Sequence, residues 1–389
     1  MSTVVKIMRK VAIIGGGAAG LFCSIYLKEL LKDQVQVVLL EKQSRVGKKI
    51  LVTGNGKCNL SNYSMDVSRY NTPRVAYAIR SFTPQVCVDT FYRWGLLTRQ
   101  DQEGRVYPFS EKATSVVDLF VKKIEELGIQ VILFEVSHIK KCDHFLVYSK
   151  TYQLENVDYV VLATGGMAGV MSTNGYQLAK DLAHTCTPLS PTLVAIKTSE
   201  SLRHLSGIRM KTALRVVRPS GEIWCESGEI LFKDEGLSGI LALDASRYLE
   251  DGDILSLDLA SDLPSNTLET FLENDETGER LQGMLPKMLA QDIRRRMKSD
   301  PHHDLLWHLH HFILHPIGTY GHQYAQLTKG GIPMEEVNPY TFESLKTDHL
   351  YVVGEILDVD GACGGYNLHF AWASAYQAAC DIAKKIKGE

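Results

Sequence analysis

The stretch covering residues 10–42 constrains this chain more than any other. KVAIIG runs Val11, Ala12, Ile13 and Ile14 without polar interruption, the pattern of a strand buried on both faces, and AAGLFCSIYLKELLKD then takes up helical spacing. Between them stand Gly15, Gly17 and Gly20, a G-x-G-x-x-G. The first glycine permits the tight turn, the second lets a pyrophosphate approach the backbone, and the third lets the helix pack closely. A second apolar strand, VQVVLLEK, carries Glu41 near its end, 21 residues beyond Gly20, where a carboxylate accepts ribose hydroxyls. Strand, helix, strand and acid agree in register, so the unit is read as a dinucleotide site with the pyrophosphate at the helix N-terminus. A glutamate at this place favours a free ribose over a 2′-phosphate.

With 389 residues there is room for a large core and more than one domain. The formal charge of -3 supplies no basic field, so neither nucleic acid nor an anionic membrane is expected as a partner. Eight cysteines with no C-x-x-C fit reduced thiols in a cytoplasmic protein. Lys6, Arg9 and Lys10 ahead of the apolar run imitate a signal peptide. The consecutive glycines at 15, 16 and 17 and the strand that follows tie the segment to a folded unit instead. No other stretch approaches the ~18–20 uninterrupted apolar residues of a membrane span.

An NAD dehydrogenase would continue with alternating strands and helices. This chain inserts SRVGKKILVTGNGKCNLSN, helical patterns around residues 73–95 and a hairpin LLTRQDQEGRVYPF. A helix SEKATSVVDLFVKKIEELG follows, with Ser110 as its cap and Gly128 as its stop. IQVILFEV ends near Val136, and a short antiparallel excursion leads to DYVVLATGG, where Ala163, Thr164, Gly165 and Gly166 bring small side chains and free amides beside a large ligand. HLYVVGEILDVDGACGGYNLHFAWASAYQAACDIAKKI then adds a buried strand, a Gly354-Glu355 turn, an acidic loop, a Gly364-Gly365 turn and a terminal helix.

The set formed by the N-terminal glycine motif with its distal glutamate, GNGKCNLSN, LATGG and GEILDVDGACGGYN resembles the two-domain flavoprotein family of BaiN-type or aminoacetone-oxidase-type FAD-dependent oxidoreductases. The resemblance covers essentially the whole chain. It implies FAD, a fold related to the fumarate reductase flavoprotein, and a bacterial-type cytoplasmic setting. By it, Gly15, Gly17, Ala19 and Gly20 hold the pyrophosphate, Glu41 and Lys42 the adenosine ribose, and the backbone at Val136 the adenine. Lys49 and the loop 54–59, from Gly54 to Asn59, lie against the cofactor. Ala163, Thr164, Gly165 and Gly166 pass near the dinucleotide, and Gly354, Glu355 and Asp358 approach the ribityl chain and phosphates. Gly364, Gly365, Tyr366, Asn367 and Leu368 meet the flavin at a helix N-terminus, whose dipole stabilises negative charge on the reduced ring. The chain departs from the family at Lys57, where arginine is usual, and at Cys363, where a threonine-like residue is common.

From about Pro191 short alternating runs such as TLVAIKT, RMKTALRVVRPSGEIWCESGEILF and DILSLDL predict antiparallel sheet, followed by helical patterns. The expected architecture is therefore α/β: a discontinuous Rossmann-like FAD domain, residues 1–190 and 325–389, with an inserted, mainly antiparallel β substrate domain carrying helices, residues 191–324. No second G-x-G-x-x-G opens a βαβ unit, so NADH or NADPH, if used, docks transiently at the flavin face.

Seven histidines fall between His302 and His322, and His311 with His315 has the i, i+4 spacing of a ligand pair; without matching Cys, Asp or Glu no metal is expected. RRRMK at residues 294–298 reads as a solvated helix face, and the four tryptophans as core. Arg105, Tyr107, Thr328 and Lys329 could border the active site. No catalytic residue is fixed, and Lys57, Cys58 and His369 are the weak candidates. An imidazole at His369 could donate a proton, with a structural histidine as the competing reading.

The expected activity is NAD(P)H-driven reduction of a small unsaturated or carbonyl-type substrate through flavin N5. The alternatives are an amine oxidase returning electrons to oxygen, a flavin-binding redox sensor, and an FAD-dependent tRNA-modifying protein, which the balanced charge disfavours. In VTGNGKCNLSN, Gly54 and Gly56 let backbone approach the cofactor while Asn55, Lys57 and Asn59 supply polar contacts. Cys58 is then lining, since thiol chemistry needs a second cysteine, for which the sequence offers only the distant Cys363.

Overall fold

The computed structural model describes residues 8–169 and 173–388. Lys6, part of the basic run before the first strand, lies outside them. The chain divides into two compact units, Met1–Ser190 with Leu327–Glu389, and Pro191–Gln326.

The first unit is built on a five-stranded parallel sheet. Strand β1 (Arg9–Ile14) pairs on one side with β2 (Val35–Glu41), which pairs with β3 (Gln130–Leu133). On its other side β1 pairs with β4 (Tyr159–Leu162), which pairs with β5 (Leu350–Val352). Val11, Ala12, Ile13, Val160, Val161 and Leu162 are fully buried, which is why these strands read as continuous apolar runs. Helices α1 (Ala18–Leu31), α2 (Ala113–Glu126) and α3 (Tyr366–Lys387) accompany the sheet. Phe22 of α1 meets Trp372 of α3 at 5.7 Å between ring centroids, and Phe91 and Phe120 complete the aromatic cluster. Each buried phenylalanine contributes roughly 1.5–3 kcal/mol, so this cluster fixes where α3, and with it the Gly364-Gly365 turn, must start.

Two short elements differ from the sequence reading and a third agrees with it. Ser110 is not the cap of α2: the N-cap is Lys112, and the Ser110 hydroxyl instead accepts the Lys112 N–H and meets Ser115 Oγ. Gly128 does follow the helix end, with φ +61°. The strand expected to reach Val136 stops at Leu133.

The second unit has its own apolar core and a seven-stranded antiparallel sheet dominated by the long hairpin of Arg209–Arg218 with Gly221–Lys233. His311 and His315 do not share a helix. Asp304 caps a short helix, Leu305–His310, and Phe312–Leu314 then pairs with Ile254–Asp258, so the chain is extended between the two imidazoles. His303, His310 and His315 bond to Asp300, Asp258 and Glu200 respectively. In the RRRMK segment, Arg295 and Arg296 both pair with Asp292. No helix among the described residues is long and apolar enough to cross a membrane.

Candidate active site

The glycine turn after β1 separates its three roles by geometry. Gly15 has φ +108°, and a Cβ there would sit 2.3 Å from the Ala163 carbonyl oxygen. A Cβ on Gly20 would lie 1.9 Å from the Gly15 carbonyl oxygen. Both glycines are thus required by the protein's own packing. Gly17 is different: its φ of -84° is open to any residue, and nothing among the described residues lies within 4 Å of the place a Cβ would occupy. No internal contact accounts for a glycine at the start of α1, whereas a phosphate group seated there does. The N-cap makes no side-chain hydrogen bond, so the first N–H groups of α1 face this open space without a capping side chain. The residues fit a dinucleotide.

Glu41 does more than its position suggests. Its carboxylate is buried and accepts the Gly16 N–H at 2.7 Å through Oε2 and the Gln43 N–H at 2.7 Å through Oε1. The acid therefore shapes the turn and still has lone pairs for ribose hydroxyls. Lys42, next along, is exposed. Val136 is buried, and its carbonyl accepts from the Asn174 carboxamide.

A second group of residues gathers behind β4 and β5. Ala163 extends β4 by donating its N–H to the Ile14 carbonyl. Gly165 has φ +69° and open space beside it, while a Cβ on Gly166 would strike Thr328 Oγ1 at 2.5 Å and Glu355 Oε1 at 2.7 Å. Thr328 Oγ1 accepts the N–H groups of Met167 and Ala168, and Thr328 in turn donates its N–H to Glu355. The other Glu355 oxygen takes the Lys49 ammonium at 2.5 Å. Gly354, at φ +75°, closes on Ala19 of α1. Asp358 accepts from Thr187 Oγ1 at 2.8 Å and from Asn71 Nδ2 at 3.2 Å.

The loop at residues 52–62 braces the glycine pair at the start of α3. The Asn59 carboxamide, oriented to satisfy both its ends, accepts from the Gly365 N–H at 3.1 Å and donates to the carbonyls of Ser61 and Val106. Asn62 Nδ2 donates to the Gly364 carbonyl at 3.0 Å. Gly364 and Gly365 have φ +106° and +99°, and a Cβ on Gly365 would lie 2.4 Å from the Ser61 carbonyl oxygen. Tyr366 and Asn367 turn their side chains inward: the Tyr366 hydroxyl donates to the Ser64 carbonyl, and Asn367 clamps Gly361 through both amide atoms. Leu368 is half-buried against the core. What these residues leave at the helix start is backbone, with the positive end of the helix dipole.

The three catalytic candidates separate clearly. His369 is fully buried, with Nδ1 2.8 Å from Ser61 Oγ and Nε2 2.7 Å from the Phe82 carbonyl oxygen. Burial lowers its pKa to about 4, against which the bond to Phe82 works only partly. A neutral ring with both nitrogens engaged is a brace, not a proton donor. Lys57 is half exposed and pairs with Glu111 at 2.6 Å, a carboxylate it shares with Arg99; that hydrogen bond raises its pKa. Arg105 pairs with Asp101 and Glu103 while its aliphatic stem lies beside Gly364, and Tyr107 is half-buried nearby.

Cys58 is wholly buried, and desolvation pushes its thiol up to about 12, opposed by the Thr53 hydroxyl. The cysteine electrostatically coupled to it is Cys87, also fully buried, rather than Cys363. Cys58→Ser is therefore expected to retain FAD and most turnover. In the native wild-type protein, alkylation followed by peptide mapping should label the exposed Cys142 and Cys225 and spare Cys58. Rapid labelling of Cys58 would restore it as a reactive thiol.

A family model described as the HI0933-like protein Rossmann domain matches residues 9–381. The chain is 31% identical over 414 residues to a 3-dehydro-bile acid delta(4,6)-reductase of Clostridium scindens, covering 97% of this chain and 100% of that one. It is 28% identical over 407 residues to a ribosomal RNA dihydrouridine synthase of Haemophilus influenzae, covering 96% and 98%. A solved 3-ketosteroid delta1-dehydrogenase from Sterolibacterium denitrificans superimposes with a TM-score of 0.47 at 12% identity, over 96% of this chain and 99% of that one. With its parallel sheet, glycine turn and nearly full-length match, the chain belongs to the HI0933-like Rossmann-domain family.

Proposed function

We propose that this protein is an FAD-dependent oxidoreductase that uses NADH or NADPH to reduce a carbon–carbon double bond conjugated to a carbonyl in a small organic substrate. The observation that carries the cofactor is the open space at Gly17, which the fold leaves unfilled at the start of α1. The reaction class is supported by the relatives. One is named for reducing the delta(4,6) system of a 3-dehydro-bile acid and another for making dihydrouridine in ribosomal RNA. A 3-oxo diene and a uracil ring share one feature: a double bond polarised by a carbonyl, which takes hydride at its far carbon and a proton beside the carbonyl.

FAD, when bound, supplies the two-electron relay between nicotinamide and acceptor. The protein's part is positioning and charge. Residues 15–17 and the free end of α1 offset the phosphate charge, and Glu41 addresses the ribose. Lys49 and Glu355 form a neutral pair beside Gly166. Asn59 and Asn62 hold the Gly364-Gly365 turn so that α3 presents its positive end to the ring.

A small acceptor rather than RNA is supported by charge: on the inserted unit Arg209, Arg215 and Arg218 pair with Glu229, Glu222 and Asp253. The same balance of charge argues against an anionic membrane surface as a partner.

The test is an anaerobic titration of the flavin-loaded protein. NADH or NADPH is expected to bleach the flavin band, and a cyclic 4-en-3-one is expected to restore it without oxygen. Bleaching by amines alone, with recovery only on readmitting air, would favour an amine oxidase. Recovery with ribosomal RNA but no small enone would replace the substrate class. A protein that no donor reduces would favour a sensor, and one that cannot take up FAD would sink the proposal.

A further inference from the structure

Two buried polar atoms in the segment that follows β4 have no hydrogen-bond partner among the described residues: Thr164 Oγ1 and the Tyr176 hydroxyl. Buried hydroxyls are nearly always satisfied, so an orphan marks a place where something else binds. The glycine turn leads directly to the first of them. A Cβ on Gly15 would lie 3.0 Å from Thr164 Cα, and a Cβ on Gly175 would lie 2.0 Å from Thr164 Oγ1, so the next residue, Tyr176, begins where the Thr164 side chain ends.

Tyr176 is in the short helix Gly175–Asp181, with only 6% of its surface exposed. Burial dominates the upward shift of its phenol pKa, and Glu355, Cys186 and Asp358 add to it in that order. The group is therefore an O–H donor at every physiological pH. Glu355 is already engaged by Lys49 and Thr328, and Asp358 by Thr187 and Asn71, so neither carboxylate takes the phenol proton.

We infer that Tyr176 is a ligand of the bound dinucleotide, its phenol donating to an oxygen of the phosphate or ribityl stretch, with Thr164 Oγ1 as its neighbour in the same site. This rests on the FAD reading above. The glycine motif and its distal acid say nothing about this residue, which lies in the helix beyond β4 and is close enough to Glu355 and Asp358 to feel their charge.

Tyr176→Phe separates this role from a structural one, because the hydroxyl has no partner to lose among the described residues. The flavin-free variant is expected to melt at the wild-type temperature or slightly above it, since an unsatisfied buried hydroxyl is removed. Titration with FAD, read by quenching of flavin fluorescence, should show Kd raised about five- to tenfold. Unchanged Kd overturns the inference, and so does a lowered melting temperature of the flavin-free variant with Kd retained, which would assign the hydroxyl to the fold. If wild-type protein itself fails to bind FAD, the cofactor reading falls, and the inference with it; the wild-type titration keeps the two failures apart.

Discussion

Gly17→Asp is expected to abolish FAD binding, lowering affinity at least about a hundredfold, while leaving the flavin-free protein as stable as before or slightly more so. The two halves of this result have separate causes. Aspartate is a better helix N-cap than glycine by a few tenths of a kcal/mol, and its charge complements the helix dipole. The backbone at Gly17 already has a conformation that aspartate adopts, and its Cβ meets nothing. The same carboxylate, however, would occupy the space and oppose the charge of a pyrophosphate. Like charges about 4 Å apart at a protein surface repel by about 4 kcal/mol before salt screening.

Gly20→Ala provides the contrast. Its methyl would lie 1.9 Å from the Gly15 carbonyl oxygen, so the turn itself must distort. That variant should lose about 1–3 kcal/mol of stability before any cofactor is added. Thermal melting of both flavin-free variants, followed by FAD titration, checks the pair. If Gly17→Asp destabilised the apoprotein as Gly20→Ala does, the open space would be a packing site and not a cofactor seat.

The contrast also explains what the sequence could reveal. The roles of Gly15, Gly20 and Gly17 lie within one turn and depend on backbone geometry, which residue type at fixed spacing dictates. The strands around them are buried on both faces, so their apolar runs are unmistakable. Glu41 stands at the end of β2, where the spacing puts it, but its bonds to Gly16 and Gln43 are a local detail that spacing does not encode.

The braces were hidden for a different reason. Asn59 and Asn62 satisfy backbone groups of Gly365 and Gly364, and His369 links Ser61 to Phe82, contacts between residues roughly 300 apart in the chain. A single sequence shows that these side chains are polar; it cannot show that their partners are carbonyls and amides of a distant loop. For this reason the sequence does not show that the Asn59 carboxamide bonds to the protein backbone. Cys87, the actual neighbour of Cys58, was equally invisible, since 29 residues and a helix separate them. The i, i+4 spacing of His311 and His315 has no helical meaning, because the helix before them is only six residues long and ends at His310.

The largest pH effect is expected from His369. Its folded pKa, about 4, lies below the ordinary value of 6.5 because the ring is buried. When the pH is above 6.5 the ring is neutral in both states and costs nothing. As the pH falls through that value the unfolded chain takes up a proton that the folded protein refuses, so stability is lost progressively until the folded ring titrates near pH 4. The slope is about 1.4 kcal/mol per pH unit, and the whole loss is on the order of 3 kcal/mol. His184, His322 and His349 are lowered in the same direction by burial, so they add to the same acid limb.

His369→Gln isolates the one residue. Glutamine can keep the donor to the Phe82 carbonyl but deprives Ser61 of its acceptor, so the variant should be less stable at neutral pH by about 1–2 kcal/mol. It carries no titrating proton, so its stability should fall less steeply below pH 6.5, and the gap between the two proteins should close or reverse as pH approaches 4. Urea unfolding across this range measures both curves. Because Ser61 offers its carbonyl to the Asn59 carboxamide and lies against Gly365, loss of this brace should release FAD from the folded wild type only as the folded ring itself titrates near pH 4. Parallel stability curves for wild type and variant would show that the buried imidazole does not control the acid limb.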